Sequence, residues 1–440
     1  MSTKNQLGLF DLTMIVVGLV IGMGVFRTAS DSAQASLTPG IYFTAWVVGG
    51  LVALCGALTY AEIGSRLPAT GGYYKVFAEC YHPSIAFAIN CIILVSNAAS
   101  LAAVALIGSE YISEIIFDET PGDFTRSLIA MTAVIVFYGV NLAGLRMSSK
   151  TQNVLMVIKI AMIIVLICSL FFPAAPAVAA AATPLPVSFT DSLKSFGVAL
   201  IAVSFTYGGY QQTINFGDEV KNPRKNIPRG IFIGILMIIG LYLLIQLAYV
   251  HAIGFEALKT SKGIAAVVAE RMFGQTGHRL FSILLFMAVL AYVNVLLLSN
   301  PRVMYAMSTD GILPRAFAQR SRREVLTVSL SVFTAICIIV LFFMNTFNKI
   351  LGFTIFLDCI GMATSAGAIF ILRKRTAHLN NTGIYTMKLY PLMPLVFIAA
   401  YVFVGISIFF STPWLAITAL SVFAVMLALY FLVIAPKKKS

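Results

Sequence analysis

The chain has 440 residues, 59% of them hydrophobic and 11% charged, with a mean hydropathy of +0.93 and a net charge of +13. That composition excludes a string of soluble domains of ~150 residues, because so little charge cannot cover them, and it suits lipid as the solvent. Nucleic-acid binding, which a basic chain can suggest, is disfavoured by where the cations fall: in alternate breaks between long apolar runs.

A membrane-spanning helix needs ~20 mostly apolar residues, and such runs recur from Leu7 to Ile434 with short polar breaks. Spans are expected near 8–29, 41–64, 84–112, 127–145, 150–172, 193–213, 229–252, 278–300, 325–344, 350–372, 389–410 and 413–434. The opening MSTKNQLGLFDL has no basic segment ahead of a cleavable apolar core, so the first run is read as a span kept in the mature protein. The Ala/Pro-rich stretch 173–190 reads as an outer linker.

With the N-terminus placed in the cytoplasm, 21 of the 30 cations lie on inner loops, among them Arg66, Arg302, Arg320, Arg373 and Lys437 to Lys439. Eight lie outside, where Glu110 to Asp123 is acidic, and Lys159 falls within a span. This asymmetry predicts an inner-membrane protein with both termini cytoplasmic and an even number of spans. Cys55, Cys80, Cys91, Cys168, Cys337 and Cys359 show no paired spacing and read as small hydrophobes. His82, His251, His278 and His378 are scattered, with no metalloprotease, catalytic-triad or phosphate-loop pattern around them. Metal, cofactor, enzyme chemistry and ATP-driven pumping are therefore not expected.

The first span carries Gly18, Gly22 and Gly24 near its centre, where a helix interior favours alanine or leucine. The sixth repeats the theme at Phe205-Thr206-Tyr207-Gly208-Gly209-Tyr210, at similar depth but approached from the other side. Close helix packing is one explanation of such glycines. Matched interruptions in two halves of a chain also point to a midplane substrate site between inverted repeats.

At these residues the sequence resembles the amino acid, polyamine and organocation (APC) superfamily, in particular its L-type amino acid transporter branch. Gly22-Met23-Gly24-Val25-Phe26 is similar to the family's GxG(I/V)F. Tyr60-Ala61-Glu62-Ile63-Gly64 and Pro68 to Tyr73 are similar to its YAELG and PxxGGxY signatures. Asn141 to Arg146, Gly217 to Pro223 with Ile227-Pro228-Arg229, and Arg302 to Pro314 continue the likeness in order along nearly the whole chain. The resemblance implies an all-α membrane protein of about 12 transmembrane helices with a LeuT-like 5+5 inverted repeat. The first repeat would be 1–172, the linker 173–190, the second repeat 191–373, and 374–440 the last two spans with a basic tail.

It further implies a sodium-independent exchanger or uniporter of L-amino acids with neutral side chains, working by alternating access. The substrate carboxylate would rest on backbone N–H groups of Gly22, Met23 and Gly24, and its ammonium on carbonyls of Val20, Phe205 and Gly208. Ile21, Tyr207 and Gly209 complete the binding segments. Phe205 would close over the substrate from outside, although alone it reads as one core aromatic among 33 phenylalanines. Met23 departs from the small or hydroxyl residue common in the family and narrows the pocket. Lys159, roughly 13 Å into the fifth span, matches a family lysine whose amine takes the place of sodium, bonding carbonyls of the first span and a hydroxyl of the eighth.

Whether Lys159 is a fixed cation or titrates during transport is left open by the sequence, as is the choice between exchange, uniport and proton symport. Tyr249 is a candidate gate and otherwise a packing residue. Glu62 reads as a salt bridge at the cytoplasmic edge, and Asp358 as an acid with no family counterpart, facing the outer vestibule or nearer a helix end. The alternatives are a proton-coupled symporter, a polyamine carrier and, from another class, a transport-inactive amino acid receptor. The loop Ser113 to Thr125 has no cysteine, so no disulfide-linked heavy chain is expected.

Overall fold

Each apolar run becomes helix, because in lipid a backbone must satisfy its own hydrogen bonds. The computed structural model describes residues 7–22, 24–117, 121–174, 188–261, 263–343, 347–379 and 383–435, with the side chains of 343, 347–355, 415 and 433 left aside. Met23, most of the expected linker, Lys4, Lys262 and the Lys437 to Lys439 tail lie outside the described residues.

The helices, in order, are α1 (Leu9–Val20), α2 (Gly24–Ala35), α3 (Pro39–Arg66), α4 (Gly72–Cys80), α5 (Pro83–Ile116), α6 (Asp123–Leu142), α7 (Leu145–Ile167) and α8 (Phe189–Tyr207). They continue with α9 (Pro223–Ile253), α10 (Phe255–Thr260), α11 (Ile264–Thr309), α12 (Thr327–Phe343), α13 (Phe347–Arg375), α14 (Leu392–Ser411) and α15 (Pro413–Leu429). Among the described residues nine helical segments are long and apolar enough to cross a membrane, and Thr327–Phe342 and Ala416–Leu432 are shorter apolar helices.

Local chemistry fixes several starts. Thr38 caps α3 by accepting from Ile41 N at 3.3 Å with Pro39 behind it, and Ser188 caps α8 by accepting from Asp191 N at 3.1 Å. The first span divides at the expected glycines. α1 stops at Val20, Gly22 N turns back onto Val20 O at 2.8 Å, and α2 starts at Gly24.

The sixth run, read as a span over 193–213, divides at its expected glycines as well. α8 ends at Tyr207, Gly208 is extended, and Gly209 takes φ +113°. The chain then goes on as 3-10 turns over Tyr210–Asn215 and Gly217–Glu219 rather than α-helix. Two further elements were not expected. The short α4 follows the second span, and α11 runs far beyond 278–300 because a helix preceding Gly274 (φ +66°) abuts the span itself.

α1 is almost wholly buried between α7 and α9, and α2 lies along α8. α3 flanks α8 and α9, while α5 packs on α11, α12 and α13. The outward faces carry Val136, Val154, Val157, Phe232 and Leu236, all exposed, as a lipid-solvated rim requires.

The end of the bundle carrying Arg66, Arg302 and Arg373 is held by buried ion pairs. Glu62, fully buried, accepts from Arg66 Nε at 2.7 Å, from Arg373 Nη2 at 2.6 Å and from Met387 N at 2.8 Å. This is the salt-bridge role read for it from sequence. Arg302 Nη2 reaches Glu219 at 2.6 Å with its guanidinium over the Phe216 ring, and Lys75 pairs with Asp310 at 2.5 Å.

Candidate functional site

The two interruptions meet. A Cβ on Gly209 would stand 2.2 Å from Leu19 O, and one on Gly24 would stand 3.2 Å from Thr206 Cα. Only glycine allows backbone to approach backbone so closely, and at Gly209 the positive φ adds the same demand. Across this contact the hydroxyls of Thr28 and Thr206 hydrogen-bond to each other.

A helix break frees carbonyls and amides that lipid cannot satisfy. Three freed carbonyls have buried side-chain partners. Lys159 Nζ, on α7 and 1% exposed, donates to Ile21 O at 2.5 Å. Tyr242 OH, on α9, stands between Val20 O at 3.2 Å and Thr206 O at 3.3 Å, so one hydroxyl ties the ends of both broken helices. Behind it Trp46 and Tyr207 pack on the Tyr242 ring at 6.0 and 5.0 Å between centroids.

The breaks border a small cavity of about 60 Å³. Of the residues expected at the site, Val20, Gly22, Gly24, Phe205, Gly208 and Gly209 line it. Ile21 is buried behind the lining with its carbonyl on Lys159. Tyr207 is 2% exposed, donates to Trp46 O at 3.4 Å and does not reach the cavity. Gly22 N is already engaged with Val20 O, so the amide available for an anion is at Gly24, in the first turn of α2 where N–H groups have no helical partner.

Tyr249 lies away from the cavity, fully buried, with a hydroxyl that has no hydrogen-bond partner among the described residues. Among those residues the hydrogen-bond partner of Lys159 is the Ile21 carbonyl, and a hydroxyl of α11 is not one of its partners.

Sequence reasoning passed over the side-chain wall. Gln212 Nε2 donates to Asn97 Oδ1 at 3.2 Å, and Asn97 Nδ2 to Asn300 Oδ1 at 2.6 Å, linking the sixth run to α5 and α11. Ser100 pairs with the Tyr292 hydroxyl at 2.9 Å. Asp358, weighed from sequence as a vestibule acid, lines this same cavity from α13. The signal for α5 was present in Ser96, Asn97 and Ser100, polar residues on neighbouring turns inside an apolar run.

Towards the basic end the cavity floor is closed. Tyr210, Thr213, Ile214 and Phe216 are buried, Gly71 N donates to Asn215 O at 2.9 Å, and Tyr73 N donates to Asn215 Oδ1 at 2.9 Å. Leu7 is strapped to the same segment by Leu7 N on Glu219 O at 3.0 Å and Lys221 N on Leu7 O at 2.9 Å. On the other side of the breaks Ser204 and Phe205 stay partly exposed. The arrangement is a polar, backbone-lined cavity in the bundle centre, open on one side only.

Comparison with known proteins agrees with this geometry. The chain is 28% identical over 408 residues to the serine/threonine exchanger SteT of Bacillus subtilis (strain 168), covering 91% of this chain and 90% of that one. It is 24% identical over 445 residues to the large neutral amino acids transporter small subunit 2 of Oryctolagus cuniculus, covering 98% and 80%. To the Asc-type amino acid transporter 1 of Mus musculus it is 22% identical over 415 residues, covering 93% and 77%. Those relatives are transporters, and the family model described as amino acid permease matches residues 7–435. A helical bundle interrupted twice at its centre, matched over that whole length, belongs to the amino acid permease family.

Proposed function

We propose that the protein is a sodium-independent exchanger or uniporter of L-amino acids with neutral side chains, working by alternating access in the inner membrane with both termini cytoplasmic. The observation that carries the proposal is the meeting of the two breaks around one cavity, with Lys159 Nζ on Ile21 O. A zwitterion at mid-membrane needs an anion site and a cation site within one amino acid's reach. The first turn of α2 supplies N–H groups and the positive end of a helix dipole, and the carbonyls of Phe205 and Gly208 supply the complement, that of Val20 being taken by Gly22 N and the Tyr242 hydroxyl. Met23 lies between these segments in sequence and belongs to the same proposed site.

Lys159 supports sodium independence by electrostatics. Its ammonium already occupies a freed carbonyl of α1. A second cation about 4 Å away would be repelled by roughly 4 kcal/mol at an effective dielectric constant of 20, or about a thousandfold in affinity.

The closed floor and partly exposed Phe205 fit an outward-facing form, with Phe205 as the outer gate. In the transport cycle α1, α2 and α8 would rock against α5, α6, α11 and α12, opening the Leu7 and Asn215 straps while Phe205 closes. Residues 1–172 and 191–373 would be the inverted repeats, joined by 173–190 and followed by 374–440. We further propose that no disulfide-linked heavy chain is needed, the loop from Ser113 to Thr125 having no cysteine.

Purified protein in proteoliposomes should take up labelled neutral L-amino acids, equally with sodium or choline outside, and faster when amino acid is inside if it exchanges. Failure with all twenty amino acids, or uptake abolished in choline, would refute the proposal.

A further inference from the structure

Among the described residues lining the cavity, Asp358 carries the one carboxyl group. It projects from α13 and is partly buried, and no hydrogen bond or ion pair joins it to any described residue. Three groups of the surrounding helices are committed elsewhere, and the Tyr401 hydroxyl shares the cavity wall without a hydrogen bond to it. Lys159 is on Ile21 O, the Tyr292 hydroxyl pairs with Ser100 at 2.9 Å, and the Tyr73 hydroxyl pairs with Ser365 at 3.2 Å. A second group of the same wall is also idle: Ser96 Oγ is buried and has no hydrogen-bond partner among the described residues.

An unpaired carboxylate in a closing cavity is costly unless the ligand brings a donor to it. Such a site rejects an isosteric ligand that lacks the donor, because closure then strands the acceptor. The breaks themselves offer backbone groups suited to the part every amino acid shares, so a side-chain acid on a different helix is free to read the part that varies.

We propose that Asp358 is a specificity-determining residue that accepts a hydrogen bond from a donor on the substrate's side chain. The carrier then favours amino acids whose side chain ends in a hydroxyl over aliphatic ones of the same shape. The assignment rests on the amino acid carrier reading.

The test compares kcat/KM in proteoliposomes of the full chain for two isosteric pairs: threonine against valine, and serine against 2-aminobutyrate. In the wild type the donor-bearing member of one pair is favoured by about tenfold or more. In Asp358→Ala that ratio falls to within about threefold of unity, and in Asp358→Asn, which keeps one carbonyl acceptor, it lies between. If Asp358→Ala does not transport, the same ratios are read from ligand-induced thermal shifts of the detergent-solubilised protein. Ratios that the substitutions leave unmoved, or a wild type favouring valine and 2-aminobutyrate, overturn the assignment while leaving the carrier reading intact. A wild type that carries no amino acid overturns both.

Discussion

Tyr242 and Tyr249 stand two helical turns apart on α9, both fully buried, and the structure gives their hydroxyls opposite roles. Tyr242→Phe keeps the ring, and with it the packing on Trp46 and Tyr207, but removes the hydroxyl from between Val20 O and Thr206 O. The lost hydrogen bond is worth about 0.5–1.5 kcal/mol, and leaving a buried carbonyl unsatisfied costs about 1–3 kcal/mol. Val20 O keeps Gly22 N, so the larger cost falls on Thr206 O alone and the break geometry loses about 1–3 kcal/mol, or roughly 5- to 150-fold in a step that depends on it. Uptake by Tyr242→Phe in proteoliposomes should therefore fall at least about fivefold in kcat/KM. Tyr249→Phe removes a hydroxyl without a partner among the described residues and should transport as the wild type does, with unchanged or slightly raised thermal stability. Equal activity of the two variants, or a larger loss in Tyr249→Phe, would refute the assignment of the tie between the breaks to Tyr242.

Gly209→Ala should abolish uptake in protein that still elutes as a single species, because a methyl 2.2 Å from Leu19 O at φ +113° forces the breaks apart; near-normal uptake would contradict their contact. Lys159→Met, which keeps length and loses charge, should lower uptake about tenfold or more and leave Ile21 O without its donor. A fully active variant would make the ammonium dispensable. Glu62→Ala removes the carboxylate shared by Arg66 and Arg373 and should lower stability by about 3–5 kcal/mol, towards the smaller figure since Arg373 is 22% exposed. Thermal unfolding in detergent checks it, and an unchanged midpoint would count against the ion-pair account.

Much of the architecture could be read from residues alone. Continuous apolar runs marked the spans, and clustered glycines at Gly22, Gly24, Gly208 and Gly209 marked the interruptions, because span length and backbone freedom are local properties. Lys159 was legible for a similar reason: a cation so deep in an apolar run must have a partner. What escaped depends on which helix faces which. Tyr242 is one of 17 tyrosines, and nothing in the α9 run distinguishes it from Tyr249; the approach of α9 to α1 and α8 does. The 3-10 course of Tyr210–Asn215 follows from straps to Gly71 and Tyr73, residues some 140 positions earlier, and leaves no periodic trace of its own. Asp358 was visible as an intramembrane acid, but its place on the cavity wall is set by α13 packing on α5.

The central claim is that opened backbone around Val20 to Gly24 and Phe205 to Gly209 holds the two charged ends of an amino acid. An experimental structure with a transported amino acid bound tests it most directly. The account predicts the carboxylate within hydrogen-bond distance of Gly24 N and the ammonium on the carbonyls of Phe205 and Gly208. A ligand seated elsewhere in the bundle, touching neither interruption, would contradict it.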